Sequence, residues 1–339
     1  MPSVPGDSPP AGPAAPRTIL EVRDLSVEYL LERGTVLAVD DVSFDLAARE
    51  FIGIVGESGC GKSTLLFAIA QLLVPPAEIT GGSVIFKGHN MVGLTDKELT
   101  AVRWRDLSVV MQSAMNALNP VKSIQAQFAD AMRAHGVTSK AEIAERSAEV
   151  LRMVGIDPVH LKSYPHQLSG GMRQRSMIAM AMLFTPDLVI MDEPTSALDV
   201  VAQRSLMVQI KELQERLGFA IIFVTHDMSL VRHFSNRLMV MYAGVIAEFG
   251  ETGQVFDAPM HPYSIGLMEA FPSIRGPRVP LTGIPGSPPD LARLPPGCRF
   301  APRCPKVMAR CEAEAPRLYQ VDRRLVRCFL QADEGPGDE

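Results

Sequence analysis

Residues 56–63, Gly-Glu-Ser-Gly-Cys-Gly-Lys-Ser, have the types and spacing of a loop that holds phosphate groups. Glycines let backbone N–H groups turn toward a phosphate, and the N-terminus of a following helix adds partial positive charge. Lys62 is then placed to reach the β- and γ-phosphates, and the Ser63 hydroxyl to hold Mg²⁺. A chance match in a chain of this size is on the order of one in a hundred, and the apolar run 51–55 before the loop makes chance less plausible still.

We therefore predict a nucleotide site in which the phosphate loop and the start of the next helix contact the ligand. The predicted contact residues are Gly56, Glu57, Ser58, Gly59, Cys60, Gly61, Lys62, Ser63 and Thr64.

Two adjacent carboxylates, Asp192 and Glu193, follow a second apolar run at residues 188–191. Carboxylate oxygens are ligands that Mg²⁺ prefers, so Asp192 at a strand end is placed to bind the ion directly or through water. The alternative is that both acids merely face solvent.

Four of the five cysteines, Cys298, Cys304, Cys311 and Cys328, are separated by five, six and sixteen residues. In a cytosolic protein this clustering favours a metal site over disulfides. Eight Lys or Arg and three Asp or Glu lie between the first and the last, a basic setting that is expected to stabilise thiolates. Four thiolates suit structural zinc or an iron–sulfur cluster, and four unligated cysteines are the remaining alternative. Cys60 is predicted to fill space in the phosphate loop.

Strand and helix patterns alternate around these residues. Alternating polarity predicts strands at residues 19–22, 25–29 and 42–46, and continuous apolar runs predict strands buried on both faces at 51–55, 188–191 and 220–224. Helices are predicted at residues 62–73, after the capping boxes that begin at Thr95 and Ser139, and at 201–217 before Gly218. This alternation predicts an α/β fold with a largely parallel sheet.

Composition bounds the class of protein. The chain of 339 residues is 47% hydrophobic and 21% charged, with a net charge of −5 that gives no nucleic-acid footprint. Its apolar runs are strand-sized and fall short of the ~20 residues that a membrane span needs. Residues 1–17 begin without the basic and apolar regions of a signal peptide, so we expect a disordered tail and a cytosolic protein.

The chain is expected to divide into two units after this tail. Residues 272–297 contain eight prolines and four glycines, which predicts a linker without regular structure. We place the main unit at 18–255, with a strand-free helical insertion at about 113–168, and a C-terminal extension at 256–339.

Three elements in chain order resemble the ATP-binding-cassette ATPases: the phosphate loop, the segment Leu168-Ser169-Gly170-Gly171-Met172-Arg173-Gln174, and the acidic strand followed by Pro194-Thr195-Ser196-Ala197-Leu198-Asp199. The resemblance covers residues 19–329. It implies a RecA-like parallel-sheet core, an antiparallel β subdomain, a helical subdomain and a small loop-rich, cysteine-containing C-terminal extension.

The resemblance also implies roles for single residues. Glu193 would be the general base, Gln112 would approach Mg²⁺ and the attacking water, His226 would contact the γ-phosphate, and Tyr29 would stack on adenine. The structural alternatives are a strand-end glutamine, a core histidine and a packing tyrosine. Residues 113–120 depart in part from the peptide-importer pattern, which puts coupling contacts in this region in doubt.

The family's ATP is shared between two facing subunits. By resemblance, Ser169, Gly170 and Gly171 would close over the ATP of a partner cassette, and hydrolysis would release the pair. We expect the partner cassette to be a different chain.

Two downstream segments resemble the extension of oligopeptide and dipeptide importer ATPases: His261-Pro262-Tyr263-Ser264 and Cys298-Arg299-Phe300-x2-Arg303-Cys304-Pro305. This resemblance implies an ATP-hydrolysing subunit for peptide import, at the cytoplasmic face of the membrane, with two permease subunits and an external solute-binding protein. Nickel or oligosaccharide import is the alternative, and a soluble ATPase acting on DNA or ribosomes, or a regulatory module without turnover, is less favoured. The resemblance and the Cys304-Pro305 step favour a [4Fe–4S] cluster over zinc, in a structural or regulatory role.

Overall fold

The computed structural model describes residues 17–32, 34–112, 117–196, 198–270 and 283–332. The predicted tail lies outside these residues apart from Arg17, and so does the part of the predicted linker before residue 283.

Twelve strands in the described part of the chain form two sheets. Their bounds are β1 (Thr18–Leu31), β2 (Gly34–Ala47), β3 (Phe51–Val55), β4 (Ala77–Phe86), β5 (His89–Asn90), β6 (Leu107–Val110), β7 (Leu188–Asp192), β8 (Ala220–Val224), β9 (Arg237–Tyr242), β10 (Val245–Glu251), β11 (Tyr319–Val321) and β12 (Arg324–Val326). One sheet has the order β2-β1-β4-β5 and is antiparallel; the other has the order β11-β12-β10-β9-β3-β8-β7-β6, with parallel pairing from β9 to β6.

Ten α-helices occur over the same described ranges. They are α1 (Lys62–Ile69), α2 (Asp96–Val102), α3 (Ile124–Ala134), α4 (Lys140–Met153), α5 (Gly170–Ala181), α6 (Val200–Leu217), α7 (Met228–Phe234), α8 (Thr252–Asp257), α9 (Pro262–Glu269) and α10 (Ala309–Ala313). None of the helices described is long and apolar enough to cross a membrane.

The large sheet separates two hydrophobic cores. Phe51 and Phe223 face one core, which contains side chains from α3 to α6, whereas Ile52 and Ile222 face the other, which contains side chains from α1 and the antiparallel sheet. Both faces of these strands are covered, which is why their sequences are continuous apolar runs instead of alternating ones.

Several local signals form as predicted. Thr95 closes a complete capping box with Glu98, Ser139 caps α4, and Gly218 ends α6 in the left-handed conformation. Helix α1 ends at Ile69, earlier than predicted, and Gln71 beyond it has a positive φ of 55°. The described part of the predicted helical insertion contains helices and no strand.

The extension is more closely joined to the main unit than the sequence suggested. Strand β12 pairs with β10 of the main sheet, and Phe300 is buried in the core that contains α3 to α6. Arg299 pairs with Asp40, and Arg327 pairs with Asp41 at 3.0 Å. The loop-rich extension therefore packs against the hydrophobic core of the main unit.

Candidate functional site

Four neighbouring strands, β3, β8, β7 and β6, end at the same edge of the parallel sheet. Val224 lies opposite Asp192, and Met191 opposite Val110, so the loops that follow these strands start at the same level. Ligands bind at this carboxyl edge in open α/β sheets. The topology therefore gathers the phosphate loop, His226, Glu193 and Gln112.

The phosphate loop has a backbone that only glycine tolerates at two positions. Gly56 and Gly61 have positive φ angles of 152° and 98°. A Cβ atom would lie 2.2 Å from the Met241 carbonyl oxygen at Gly56, and 2.2 Å from that of Ala38 at Gly61. Helix α1 begins directly after Gly61, so its N-terminus opens on the concave side of this turn.

Lys62 lies across the loop and holds its first turn together. Its Nζ donates to the carbonyl oxygens of Gly56 at 2.8 Å and Glu57 at 2.9 Å. The Cys60 thiol is buried beneath the loop, 3.7 Å from Nζ, and burial raises its pKa. Its burial agrees with the predicted space-filling role.

The Asp192 carboxylate and the Ser63 hydroxyl supply oxygen ligands next to the phosphate loop. Asp192 is 3% exposed, and its Oδ1 is buried without a partner. Burial raises the pKa of Asp192, and the neighbouring Ser63 hydroxyl opposes that rise. An orphaned carboxylate oxygen beside a hydroxyl is a donor set that fits Mg²⁺.

Gln112 and His226, two of the predicted site residues, both lie close to the carboxylate of Glu193. Gln112 Nε2 donates to Glu193 Oε2 at 2.7 Å, and His226 Nδ1 lies 3.6 Å from the same oxygen. The backbone of Glu193 has a positive φ of 44° and its N–H donates to Val224 at 2.9 Å. The His226 side chain is 68% exposed, so it is free to meet a ligand and is no core histidine.

A cavity of about 340 Å³ lies between the phosphate loop and the pair Gln112 and Glu193. Its walls run from Tyr29, whose hydroxyl lies 3.1 Å from Thr64 Oγ1, to Gln112 and Glu193. Sequence reasoning missed three wall residues, Val36, Ala38 and Leu291. Leu291 comes from the proline-rich segment, where no local pattern signals a position beside the distant phosphate loop.

The Ser-Gly-Gly element lies elsewhere. Ser169 caps α5, its Oγ accepting from the Met172 N–H at 3.3 Å, and Gly170 and Gly171 form the first turn. A Cβ atom at Gly171 would meet nothing within 4 Å. None of the three lines the cavity at the phosphate loop of the same chain.

The four clustered cysteines line one small pocket. Its free volume is about 10 Å³, about one water molecule. The backbone N–H of Lys306 lies 3.4 Å from Cys304 Sγ. Within the described ranges no three His, Cys, Asp or Glu side chains are arranged to hold a metal ion, so the predicted metal site is not supported by the side-chain geometry.

The electrostatic setting of these thiols differs from the expected one. Burial raises the pKa of Cys298 and of Cys304, and it raises the pKa of Cys328 to about 11. Five of the neighbouring arginines that were expected to stabilise thiolates pair with carboxylates instead, for example Arg303 with Glu57.

Comparisons with known proteins agree with this geometry. The family model for ABC transporters matches residues 39–196, and the model for the oligopeptide/dipeptide transporter C-terminal region matches residues 247–311. The dipeptide transport ATP-binding protein DppD of Caldanaerobacter subterraneus is 40% identical over 94% of this chain and 98% of its own. The oligopeptide transport ATP-binding protein OppD of Salmonella typhimurium is 43% identical over 95% and 96%.

A solved structure shows the same fold. The dimeric post-hydrolysis state of the ATP-binding cassette MJ0796, bound to ADP and Pi, aligns with a TM-score of 0.62 and 29% identity over 69% of this chain and 99% of that one. The predicted cassette fold is confirmed. The chain belongs to the ATP-binding-cassette family, in the branch of the oligopeptide and dipeptide transporter ATP-binding proteins.

Proposed function

We propose that this chain is the ATP-hydrolysing subunit of an importer for di- and oligopeptides. The observation that carries the proposal is the convergence of Lys62, Ser63 and Glu193 on one cavity at the carboxyl edge of the sheet. The relatives reported above are named for dipeptide and oligopeptide transport, which supports peptides over nickel or oligosaccharides.

Each group around the cavity has a role in this proposal. Lys62 would bind the β- and γ-phosphates, and Ser63, Asp192 and Gln112 would hold Mg²⁺, which would neutralise developing charge when bound. Glu193 polarises the attacking water.

His226 contacts the γ-phosphate in the same proposal, and its exposed side chain beside Glu193 supports this. Tyr29 stacks on adenine at the opposite end of the cavity, where its hydroxyl contact with Thr64 orients the ring.

The site is completed by a facing cassette, which we propose to be a different chain. Ser169, Gly170 and Gly171 lie away from the phosphate loop of their own chain, and a helix N-terminus attracts phosphate. The dimeric state of the solved cassette supports the pairing of two cassettes. ATP would then stabilise the closed pair, and hydrolysis would release it.

Two permease subunits would complete the importer, and one of them would dock on the helical side of this cassette. An apolar groove of about 290 Å³ beside Gln112 is lined by Trp104, Met111, Met177 and Met180, and flexible methionines suit an inserted helix. This docking places the chain at the cytoplasmic face of the membrane, with a solute-binding protein outside. The division into a cassette at 18–255, a helical subdomain at about 113–168 and an extension at 256–339 belongs to the same proposal.

Peptide import is tested with the complex of this chain, its permeases and its binding protein in proteoliposomes. We expect a di- or oligopeptide to stimulate ATP hydrolysis and to accumulate inside, because substrate loading promotes closure of the cassettes. The control is the same assay with nickel or an oligosaccharide. Stimulation by one of these, and not by peptides, would contradict peptide import.

We further propose that the thiol pocket binds a [4Fe–4S] cluster, with zinc as the alternative. Four thiols that line one pocket are the donor set of such a cluster. A backbone N–H that donates to a sulfur, as that of Lys306 does to Cys304, helps to set the reduction potential of a cluster. The pocket is too small to accept a cluster without outward rotation of the cysteine side chains.

Cys304→Ser is expected to abolish cluster binding, because three thiolates and a hydroxyl bind iron–sulfur clusters poorly. Iron content and visible absorption of anaerobically purified protein measure the loss. Cys60→Ser, a change of the one cysteine outside the pocket, is the matched control and should retain the iron. Full iron content in Cys304→Ser would contradict the four-ligand site. A colourless wild-type protein with stoichiometric zinc would show that the site holds zinc and not a cluster.

A further inference from the structure

Glu57, the second residue of the phosphate loop, is held by side chains from beyond residue 260. Its carboxylate accepts two hydrogen bonds from Arg303, at 2.7 Å from Nη1 and 2.9 Å from Nη2. Its backbone N–H donates to the hydroxyl of Tyr263 at 3.0 Å. Its carbonyl oxygen accepts from Lys62 at 2.9 Å. All three polar groups of Glu57 are therefore engaged, two of them by residues of the extension.

The surroundings of Arg303 suit this contact. Its side chain is only 5% exposed, and its Nη1 lies 3.3 Å from the hydroxyl of Tyr242. The guanidinium carbon lies 5.8 Å from the centre of the Tyr242 ring. A planar fork of N–H donors matches a carboxylate in two parallel bonds, which a lysine does not reproduce.

The same guanidinium also holds a segment that leads to the nucleotide cavity. Its Nε donates to the Pro285 carbonyl oxygen at 2.8 Å, and its Nη2 lies 3.4 Å from those of Ile284 and Gly286. A few residues further on, Leu291 lines the cavity. One side chain thus connects the phosphate loop with the segment that supplies a cavity wall.

We propose that Arg303 is a positioning residue of the ATP site, which holds the phosphate loop through Glu57 in the shape that presents Lys62 to the phosphates. This inference rests on the proposed ATP-binding function. Without the guanidinium, the Glu57 side chain loses its fixed partner, and the loop must be ordered when the nucleotide binds. Ordering at the moment of binding lowers affinity.

The chain offers matched controls, because three arginines of the extension each directly precede a cysteine: Arg303, Arg310 and Arg327. Arg310 pairs with Glu314 within the extension at 2.9 Å, and Arg327 pairs with Asp41 of β2 at 3.0 Å. Of these three pairs, that of Arg303 alone reaches the phosphate loop.

The experiment measures the Kd of a fluorescent ATP analogue and the KM and kcat for ATP in the assembled transporter, for Arg303→Gln, Arg310→Gln and Arg327→Gln. We expect Arg303→Gln to raise Kd and KM about tenfold, equivalent to about 1.4 kcal/mol. Its kcat at saturating ATP should stay within about twofold, because the proposed base and its neighbours are untouched. The two control variants should leave Kd and KM within about twofold of the wild type.

A double-mutant cycle tests that the effect passes through Glu57. Glu57→Gln alone should weaken binding to a similar degree, and Arg303→Gln combined with Glu57→Gln should be no worse than either single change. Glu57→Gln also keeps the inference testable if Arg303→Gln fails to fold.

Three results would overturn the inference: unchanged affinity in Arg303→Gln, an equal loss in all three arginine variants, or additive effects in the cycle. If the wild-type complex itself binds no ATP, the proposed function fails instead.

Discussion

Replacing Glu193 by Gln should lower the ATP turnover of the assembled transporter by about 10²- to 10⁴-fold, the usual contribution of a general base. The amide keeps the shape of the side chain and its contact with Gln112, which is 2.7 Å in the native structure. The glutamine amide cannot accept a proton from the attacking water, so it cannot polarise that water. Binding of ATP depends on the phosphate loop, so the affinity should change little.

Steady-state phosphate release measures the loss, and ATP-dependent pairing of the cassettes by light scattering measures what is retained. Glu215→Gln is the control, because Glu215 is an exposed carboxylate on α6 paired with Lys211 at 3.8 Å. Turnover within about twofold of the wild type in Glu193→Gln would remove Glu193 from its proposed role, and loss of pairing would show a defect in assembly and not in chemistry.

Lys62→Ala should raise the Kd for ATP by about 10²-fold. The reason is the loss of charge-assisted hydrogen bonds to the β- and γ-phosphates, together worth about 3 kcal/mol. The variant also loses the bonds from Nζ to the carbonyl oxygens of Gly56 and Glu57, so the loop is less ordered before ATP arrives.

Calorimetric titration of nucleotide into the complex checks this value. Lys122→Ala provides the matched control, since Lys122 is a surface lysine paired with Asp130 at 2.7 Å and lies outside the cavity. An unchanged ATP affinity in Lys62→Ala would contradict the proposed phosphate cradle.

The core of the site is predictable from the sequence because its signals are local. Strands β3 and β8 occur at the predicted residues, since a strand covered on both faces must be apolar throughout. The glycines of the phosphate loop are required by the backbone itself, as the 2.2 Å approach to neighbouring carbonyls at Gly56 and Gly61 shows. The order of strand ends then places Glu193 near the loop.

Contacts between distant segments were not predictable in this way. The pairing of β12 with β10 and the position of Leu291 in the cavity wall leave no periodic pattern in the sequence. Arginines near the cysteines suggested thiolate stabilisation, yet Arg303 pairs with a carboxylate 246 residues earlier in the chain.

The amino-acid sequence by itself determined the strand–loop–helix unit around Lys62 and the acidic strand end at Asp192, because backbone conformation and apolar periodicity are properties of neighbouring residues. Only the tertiary structure decided which partner each charged side chain of the extension takes. An arginine such as Arg303 has several carboxylates available, and the choice depends on which one is buried beside it once the chain has folded.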